Sequence, residues 1–249
     1  MEEIINFNSV IKRYGKITAL NGLSFSIKKG ESVGLIGNNG CGKTTTINVL
    51  CNLVNYDSGN VLIYGNKIIP GFVTYKNKLG ILLSPPIFVN EFTPIQYLKF
   101  VCKFQKVDQF EIDLRIESLI KSFNLNSFNK KKIGDFSSGD KMKIALAAAI
   151  IHNPEVLVFD EPFIHLDFQT IDFISSLIKS LRNKKTLFIT SHNIDLMTNL
   201  CSRFLIMDHG QIINDIALHE NMSHNEIKSL ITDSILKQNI RSINMDWFE

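Results

Sequence analysis

Surplus charge, long apolar runs and cysteine are all scarce in this sequence. Lysine and arginine number 27 against 24 aspartates and glutamates, a formal net charge of +3, too slight an excess to call for a polyanionic partner. The one basic cluster is Lys130-Lys131-Lys132, and no nucleic acid is expected. The longest uninterrupted apolar run, residues 144–151, is eight residues long, against the ~20 a helix needs to cross a bilayer. No membrane span is predicted. The start, Met1-Glu2-Glu3, lacks the basic-then-apolar pattern of a secretory leader, which places the chain inside the cell. Four cysteines, at 41, 51, 102 and 201, show neither metal-ligand spacing nor a disulfide framework, so free thiols are expected. Repeats and low-complexity tracts are missing as well.

What is present is the composition of a soluble globular chain, 45% hydrophobic and 20% charged over 249 residues, long enough to bury a sizeable core. Residues 17–27 alternate apolar and polar, Lys29-Gly30 turns the chain, and residues 32–36 form a short apolar strand that runs into glycine. From Lys43 the period changes: Ile47, Leu50, Leu53 and Val54 trace a helical stripe. Residues 84–135 differ in character. Thr93-Pro94-Ile95-Gln96 carries an N-cap threonine, a proline at the first helical position and a glutamine three after the cap, and Asp108 with Glu111 repeats the device. The second helix has Ile112, Ile116, Leu119, Ile120 and Phe123 at helical spacing, so residues 94–128 read as a helical insertion. A helix over 140–152, a buried strand over 156–159, a helix near 170–181 and a strand over 186–190 follow. Strands alternating with helices argue an α/β fold, its parallel sheet covered on both faces.

Gly37-Asn38-Asn39-Gly40-Cys41-Gly42-Lys43-Thr44 fits the G-x-x-x-x-G-K-[ST] phosphate loop and lies between a strand and a helix, as that motif requires. Glycines let backbone N–H groups curl around a polyphosphate, the helix N-terminus adds partial positive charge, and Lys43 brings a full charge to the β- and γ-phosphates. Thr44 would place its hydroxyl on Mg²⁺. Cys41 reads as a tolerated variable position.

Further segments occur in fixed order: Tyr14 ahead of the loop, Phe136-Ser137-Ser138-Gly139-Asp140 opening a helix, Asp160-Glu161-Pro162 ending a buried strand, Leu166-Asp167, and Thr190-Ser191-His192 closing another. Together with the phosphate loop they resemble the ATP-binding-cassette family of nucleotide-binding subunits, of the export type, over residues 4–215. The resemblance implies a P-loop NTPase with a RecA-like parallel sheet core, an N-terminal antiparallel β subdomain and a helical subdomain insertion at about 85–143. It implies an ATPase domain over 1–215 and leaves 216–249 as a C-terminal helical extension, with residues 224–240 amphipathic and Trp247-Phe248 in the tail.

The same resemblance implies the roles. ATP would be held by Tyr14 on the adenine and by Gly37, Asn38, Asn39, Gly40, Cys41, Gly42, Lys43, Thr44 and Thr45 on the phosphates. Thr44 and Asp160 would hold Mg²⁺. Glu161 would act as general base and His192 would contact the γ-phosphate. Ser137, Ser138 and Gly139, written FSSGD where the family usually has LSGGQ, would meet the ATP of a partner chain in a head-to-tail dimer, taken as a homodimer. His152 and His165 have no such support and are expected at the surface.

Two departures stand out. After residues 81–83 the family has a glutamine that reaches Mg²⁺, and this chain has Ser84-Pro85-Pro86. Before Asp167 it has Phe163-Ile164-His165, where small and polar residues are common. Phe88, Phe92, Tyr97, Phe100 and Phe104 crowd the next stretch; most are expected in the core, some lining a groove for a partner helix. The leading reading is the ATP-hydrolysing subunit of a transporter with a separate membrane permease, peripheral on the inner face of the cell membrane. A soluble cassette ATPase acting on ribosomes or DNA, and a weakly active partner in a heterodimer, are the alternatives.

Overall fold

Two long antiparallel strands open the chain, β1 (Glu3–Tyr14) and β2 (Ile17–Lys28), joined at a tight turn. The computed structural model describes residues 2–70, 75–125, 131–218 and 222–236. With β4 (Ser58–Ile63) and β5 (Asn66–Lys67) the first two strands form an antiparallel sheet in the order β2-β1-β4-β5. The second sheet also contains β3 (Ser32–Ile36), β6 (Leu79–Leu82), β7 (Val156–Asp160), β8 (Thr186–Ser191), β9 (Arg203–Asp208) and β10 (Gln211–Ala217). Its order is β10-β9-β3-β8-β7-β6. All its pairings are parallel except the β9–β10 hairpin at its edge.

Side-chain alternation along the central strands divides the interior in two, because successive residues of a strand point to opposite faces. Val156 and Val158 of β7 face the first sheet, as do Phe188 of β8 and Leu205 and Met207 of β9. Leu157, Phe159, Leu187, Ile189, Phe204 and Ile206 face the helices on the other side. Each strand therefore serves two cores, which is why β3, β7 and β8 are buried at every position. Phe7 and Phe25 stack at 4.7 Å between centroids in the first core, an arrangement worth about 0.5–1.5 kcal/mol beyond the area it buries.

Helices α1 (Lys43–Leu50), α2 (Pro94–Phe104), α3 (Gln109–Ser122), α4 (Ser138–Ile150), α5 (Phe168–Leu181), α6 (Ile194–Met197) and α7 (His224–Leu236) complete the order. Between β6 and β7 the chain inserts α2, α3, a 3₁₀ turn (Ile133–Asp135) and α4. Thr93 caps α2 in a full capping box with Gln96. Asp108 caps α3 through Phe110 N–H alone; Glu111 turns instead to Arg115 one turn on. The apolar stripe of α1 is shorter than its spacing suggests: the helix ends at Leu50 and Leu53 lies exposed beyond it.

The aromatic cluster after Ser84 divides as its residues suggested, most against the core and some along a groove. Phe88, Phe92 and Tyr97 pack partly against the core, while Phe100 and Phe104 are 50% and 72% exposed. They border an apolar groove of 260 Å³ floored by Leu79, Ala145 and Ala149. His152 is not a surface residue. It is half-buried at the end of that groove, where its Nε2 lies 2.9 Å from the Leu79 carbonyl oxygen and burial pushes its pKa below the usual value. His165 is exposed.

At the far end, α7 buries Ile227 and Ile231 in the helical-side core; such side chains contribute about 1.5–3 kcal/mol each when fully covered. Its expected last turns fall partly outside the described residues, as do the side chains of Ile235 and Leu236 and the Trp247-Phe248 tail. Among the described residues no helix is long and apolar enough to cross a membrane. All four cysteines are buried, free thiols.

Candidate functional site

The parallel strands β3, β7 and β8 end on the same edge of the sheet, where loops at strand C-termini gather ligand-binding groups. β3 delivers the phosphate loop, β7 ends on Asp160 with Glu161 next, and β8 ends on Ser191 with His192 next. Register makes the meeting unavoidable: Ile36 pairs with Ser191, and Asp160 with Thr190. Residues far apart in sequence thus reach one cleft of 410 Å³, lined by Asn39, Gly40, Lys43, Thr44, Asp160 and Glu161 among others.

Lys43 is the cleft's central charge. Its ammonium donates to the Gly37 carbonyl at 2.8 Å and the Asn38 carbonyl at 3.2 Å, and stands 3.5 Å from Glu161 Oε1. The loop's own carbonyls thereby aim the amine across the mouth of α1. Gly42 caps that helix with φ of 118° and offers no side chain to its first turn, so the amides at this end stay available to an anion. A Cβ there would stand 2.6 Å from the Ala19 carbonyl oxygen, which is why only glycine fits. Burial pushes the Cys41 thiol up, so it sits in the loop as an inert neutral group.

The other oxygen of Glu161, Oε2, lies 3.0 Å from His192 Nδ1. An ionised carboxylate only accepts, so the imidazole donates from Nδ1. The backbone of Glu161 is held in the left-handed region, φ 45°, by bonds from its N–H to the Thr190 hydroxyl at 2.9 Å and to the Thr190 carbonyl at 3.2 Å. The same hydroxyl donates to Asp160 Oδ1 at 2.5 Å. Asp160 is almost wholly buried. Burial raises its pKa, an effect the Thr190 and Thr44 hydroxyls oppose.

Thr190 is the positioning group that sequence reasoning left without a role. It bonds to both carboxylate residues, and the one available signal was its place immediately before Ser191-His192. Ala19 and Ile164 also line the cleft with no motif to announce them. Ser84 lines it too, together with Thr44 and Thr45.

Not every expected residue converges here. Tyr14 stands at the β1–β2 turn, 45% exposed, with Lys12 Nζ 5.0 Å from its ring centroid. Ser137, Ser138 and Gly139 belong to the N-terminus of α4, where the Ser137 hydroxyl caps the helix by accepting from Asp140 N–H. They neighbour α5: a Cβ on Gly139 would come within 2.8 Å of Thr170 Oγ1 and 3.2 Å of Asp167 Oδ2. This patch is outside the residues that line the Lys43 cleft.

The oxygen donors around Lys43 also suit a small hard cation. Thr44, Ser84, Asp160 and Glu161 offer only hydroxyl and carboxylate oxygen, the set Mg²⁺ prefers. Among the described residues there is no cluster of three acidic, histidine or cysteine groups able to hold a metal alone.

Comparison with known proteins gives a consistent result. A family model described as ABC transporter matches residues 20–164. The linearmycin resistance ATP-binding protein LnrL of Bacillus subtilis is 36% identical over 211 residues, covering 84% of this chain and 68% of that protein. The ABC transporter ATP-binding protein NatA of the same species is 28% identical over 92% of this chain and 93% of its own. Among solved structures, the dimeric ABC transporter cassette MJ0796 superposes with a TM-score of 0.79 at 25% identity, over 87% of this chain and 99% of that one. An ATP-binding subunit of an ABC transporter reaches 0.82 at 24%, over 92% and 99%.

Proposed function

We propose, for a chain that belongs to the ABC transporter family and is an ATP-binding, ATP-hydrolysing subunit of it, that the Lys43 cleft is the nucleotide site and that its hydrolysis drives export through a separate permease. The observation that carries this reading is the meeting of Lys43, Asp160, Glu161 and His192 at one edge of the sheet. The name of a relative, a Nod factor export ATP-binding protein, supports the direction.

In this reading the β- and γ-phosphates take over from Glu161 and the loop carbonyls as partners of Lys43, while the loop amides from Gly37 to Thr45 wrap the phosphate oxygens. Thr44 and Asp160 would hold Mg²⁺ together with the phosphates, and the ion would supply positive charge to offset theirs. Glu161, released from Lys43, accepts a proton from water as its oxygen bonds to the γ-phosphorus and the bond to the bridging oxygen breaks, leaving ADP, phosphate and one proton. His192 orients Glu161 and contacts the γ-phosphate. Tyr14 stacks on the adenine.

The place of Ser137–Gly139 away from the cleft supports a second chain. Their helix terminus, capped by Ser137, would meet a γ-phosphate presented by another copy, so we assign a head-to-tail homodimer with ATP between phosphate loop and signature. Residues 1–215 form the ATPase domain, its helical subdomain at about 85–143, and 216–249 an extension. The apolar groove beside Phe100 and Phe104 then receives the permease, which holds the subunit against the inner face of the membrane. Purification of the tagged chain from native membranes tests this: co-recovery of a polytopic membrane protein, lost on Phe104→Asp, is expected. Recovery of ribosomes or DNA in its place would overturn it.

A further inference from the structure

The phosphate loop does not hold its shape unaided. The turn between β9 and β10, which the motifs do not touch, is pressed against it from below. Gly210 N–H donates to the Cys41 carbonyl at 2.8 Å, a bond into the middle of the loop. A Cβ on Gly37 would collide with the Met207 carbonyl oxygen, and one on Gly42 would stand 2.7 Å from Met207 Cε. Met207 therefore touches both ends of the loop, and it is 1% exposed. The turn is fixed in its own right: the Gly210 carbonyl accepts from Asn21 N–H at 3.0 Å, and Gln211 Nε2 donates to the Asn21 carbonyl at 2.9 Å. Gly210 has φ of 78°, and a Cβ there would lie 2.7 Å from the Ala19 carbonyl oxygen. Three segments distant in sequence, residues 19–21, 37–42 and 207–211, are locked into one unit with Ala19 in the wall of the cleft.

We propose that the β9–β10 turn is a brace that keeps the phosphate loop in its anion-ready shape before nucleotide arrives, with Met207 and Gly210 as its positioning residues. The inference rests on the reading of this loop as the nucleotide site. A loop of glycine and asparagine has much backbone freedom to lose on binding. Buttressing it in advance removes that loss from the binding step and tightens affinity without any contact to the ligand. The brace thus acts mainly on affinity: once saturating nucleotide orders the loop, turnover depends little on it.

ADP titration calorimetry on the full chain tests the idea. Met207→Ala is expected to weaken ADP about tenfold, and the volume-conserving Met207→Leu to stay within about threefold of the parent. Ile178→Ala, a deletion in the other core beneath α5, is expected to bind as the parent does. In ATPase assays Met207→Ala should raise KM while leaving kcat nearly unchanged. Parental ADP affinity in Met207→Ala, or an equal loss in Ile178→Ala, overturns the brace. Should Met207→Ala fail to fold, amide exchange in the unaltered chain decides. The Gly210 amide should slow about fivefold or more when ADP binds, together with residues 37–46. Slowing confined to residues 37–46 overturns the brace and leaves the nucleotide site standing; no ADP binding by the unaltered chain removes both.

Discussion

Replacing Glu161 by glutamine tests the chemistry of the cleft most directly, because it removes one charge and almost no volume. The carboxylate stands 3.5 Å from Lys43 and 3.0 Å from His192. Glutamine can still accept from one of them, so the geometry survives, but it cannot take a proton from water. A positioned general base contributes about 10²- to 10⁴-fold, equivalent to about 2.7–5.5 kcal/mol of barrier. Binding moves the other way. In the ligand-free chain the Glu161 carboxylate competes with phosphate for Lys43, and most of that ion pair's attraction is offset by desolvation. ATP affinity should therefore hold or rise, by no more than about tenfold, or 1.4 kcal/mol. Single-turnover phosphate release measures the first effect and equilibrium titration with ATP the second, while gel filtration with ATP should reveal an accumulated dimer. A mutant that releases phosphate at the parental rate would show that Glu161 is not the base. One that loses ATP affinity by more than tenfold would show instead that its role is to hold the loop.

Lys43→Ala should abolish high-affinity ATP binding, because it deletes the mobile full charge of the loop; unchanged affinity by titration calorimetry would remove this loop as the nucleotide site. Burial raises the Asp160 pKa, so from the ordinary aspartate value near 3.9 upward the folded chain binds the proton more tightly than the unfolded one, and stability falls as pH rises through that window. Asp160→Asn should then raise the Tm of the ligand-free chain at pH 8 more than at pH 4, while weakening its stabilisation by ATP with Mg²⁺; a lowered Tm at pH 8 would refute the sign. Ser84→Gln should change ATP affinity by less than about fivefold, 1 kcal/mol, and permease-stimulated turnover by more than that factor, because the longer side chain spans from the metal position toward the loop that leads to α2; small, equal effects on both would mark the position as inert.

The site was legible in the sequence to the extent that its chemistry sits at strand ends. Eight contiguous residues spell the phosphate loop, and Asp160-Glu161 and Ser191-His192 each follow a short apolar run that must be a buried strand. Parallel pairing then brings their ends together without further information. The two-core interior was readable for the same reason, since unbroken apolar strands have to be covered on both faces. What stayed hidden depends on contacts between distant segments. Nothing at Met207 or Gly210 announces a neighbour at Cys41, and Ala19 enters the cleft only because β2 packs beneath the loop. Periodicity alone does not say which aromatics of a cluster are core and which line a groove. Phe100 and Phe104 keep the spacing of a buried stripe yet face outward, because spacing records that a surface is covered and not by what. His152 errs in the opposite sense: a lone histidine at a helix end reads as solvated, but the Leu79 carbonyl waits for its ring.

The charges in the cleft explain why binding and hydrolysis come in a fixed order under the proposed mechanism. Without nucleotide, Lys43 and Glu161 are paired with each other, while Asp160 is buried and accepts from the Thr190 hydroxyl, a partner that does not cancel its charge. Phosphate arriving alone would add negative charge beside two carboxylates and leave Asp160 opposed. With both present, phosphate would take Lys43 from Glu161, and a cation held by Thr44 and Asp160 would balance the Asp160 charge. Glu161 is thereby freed at the moment a γ-phosphate stands in front of it, with His192 still holding its other oxygen. A base that is paired while the cleft is without nucleotide and released by the substrate needs no separate switch to keep it idle between turnovers.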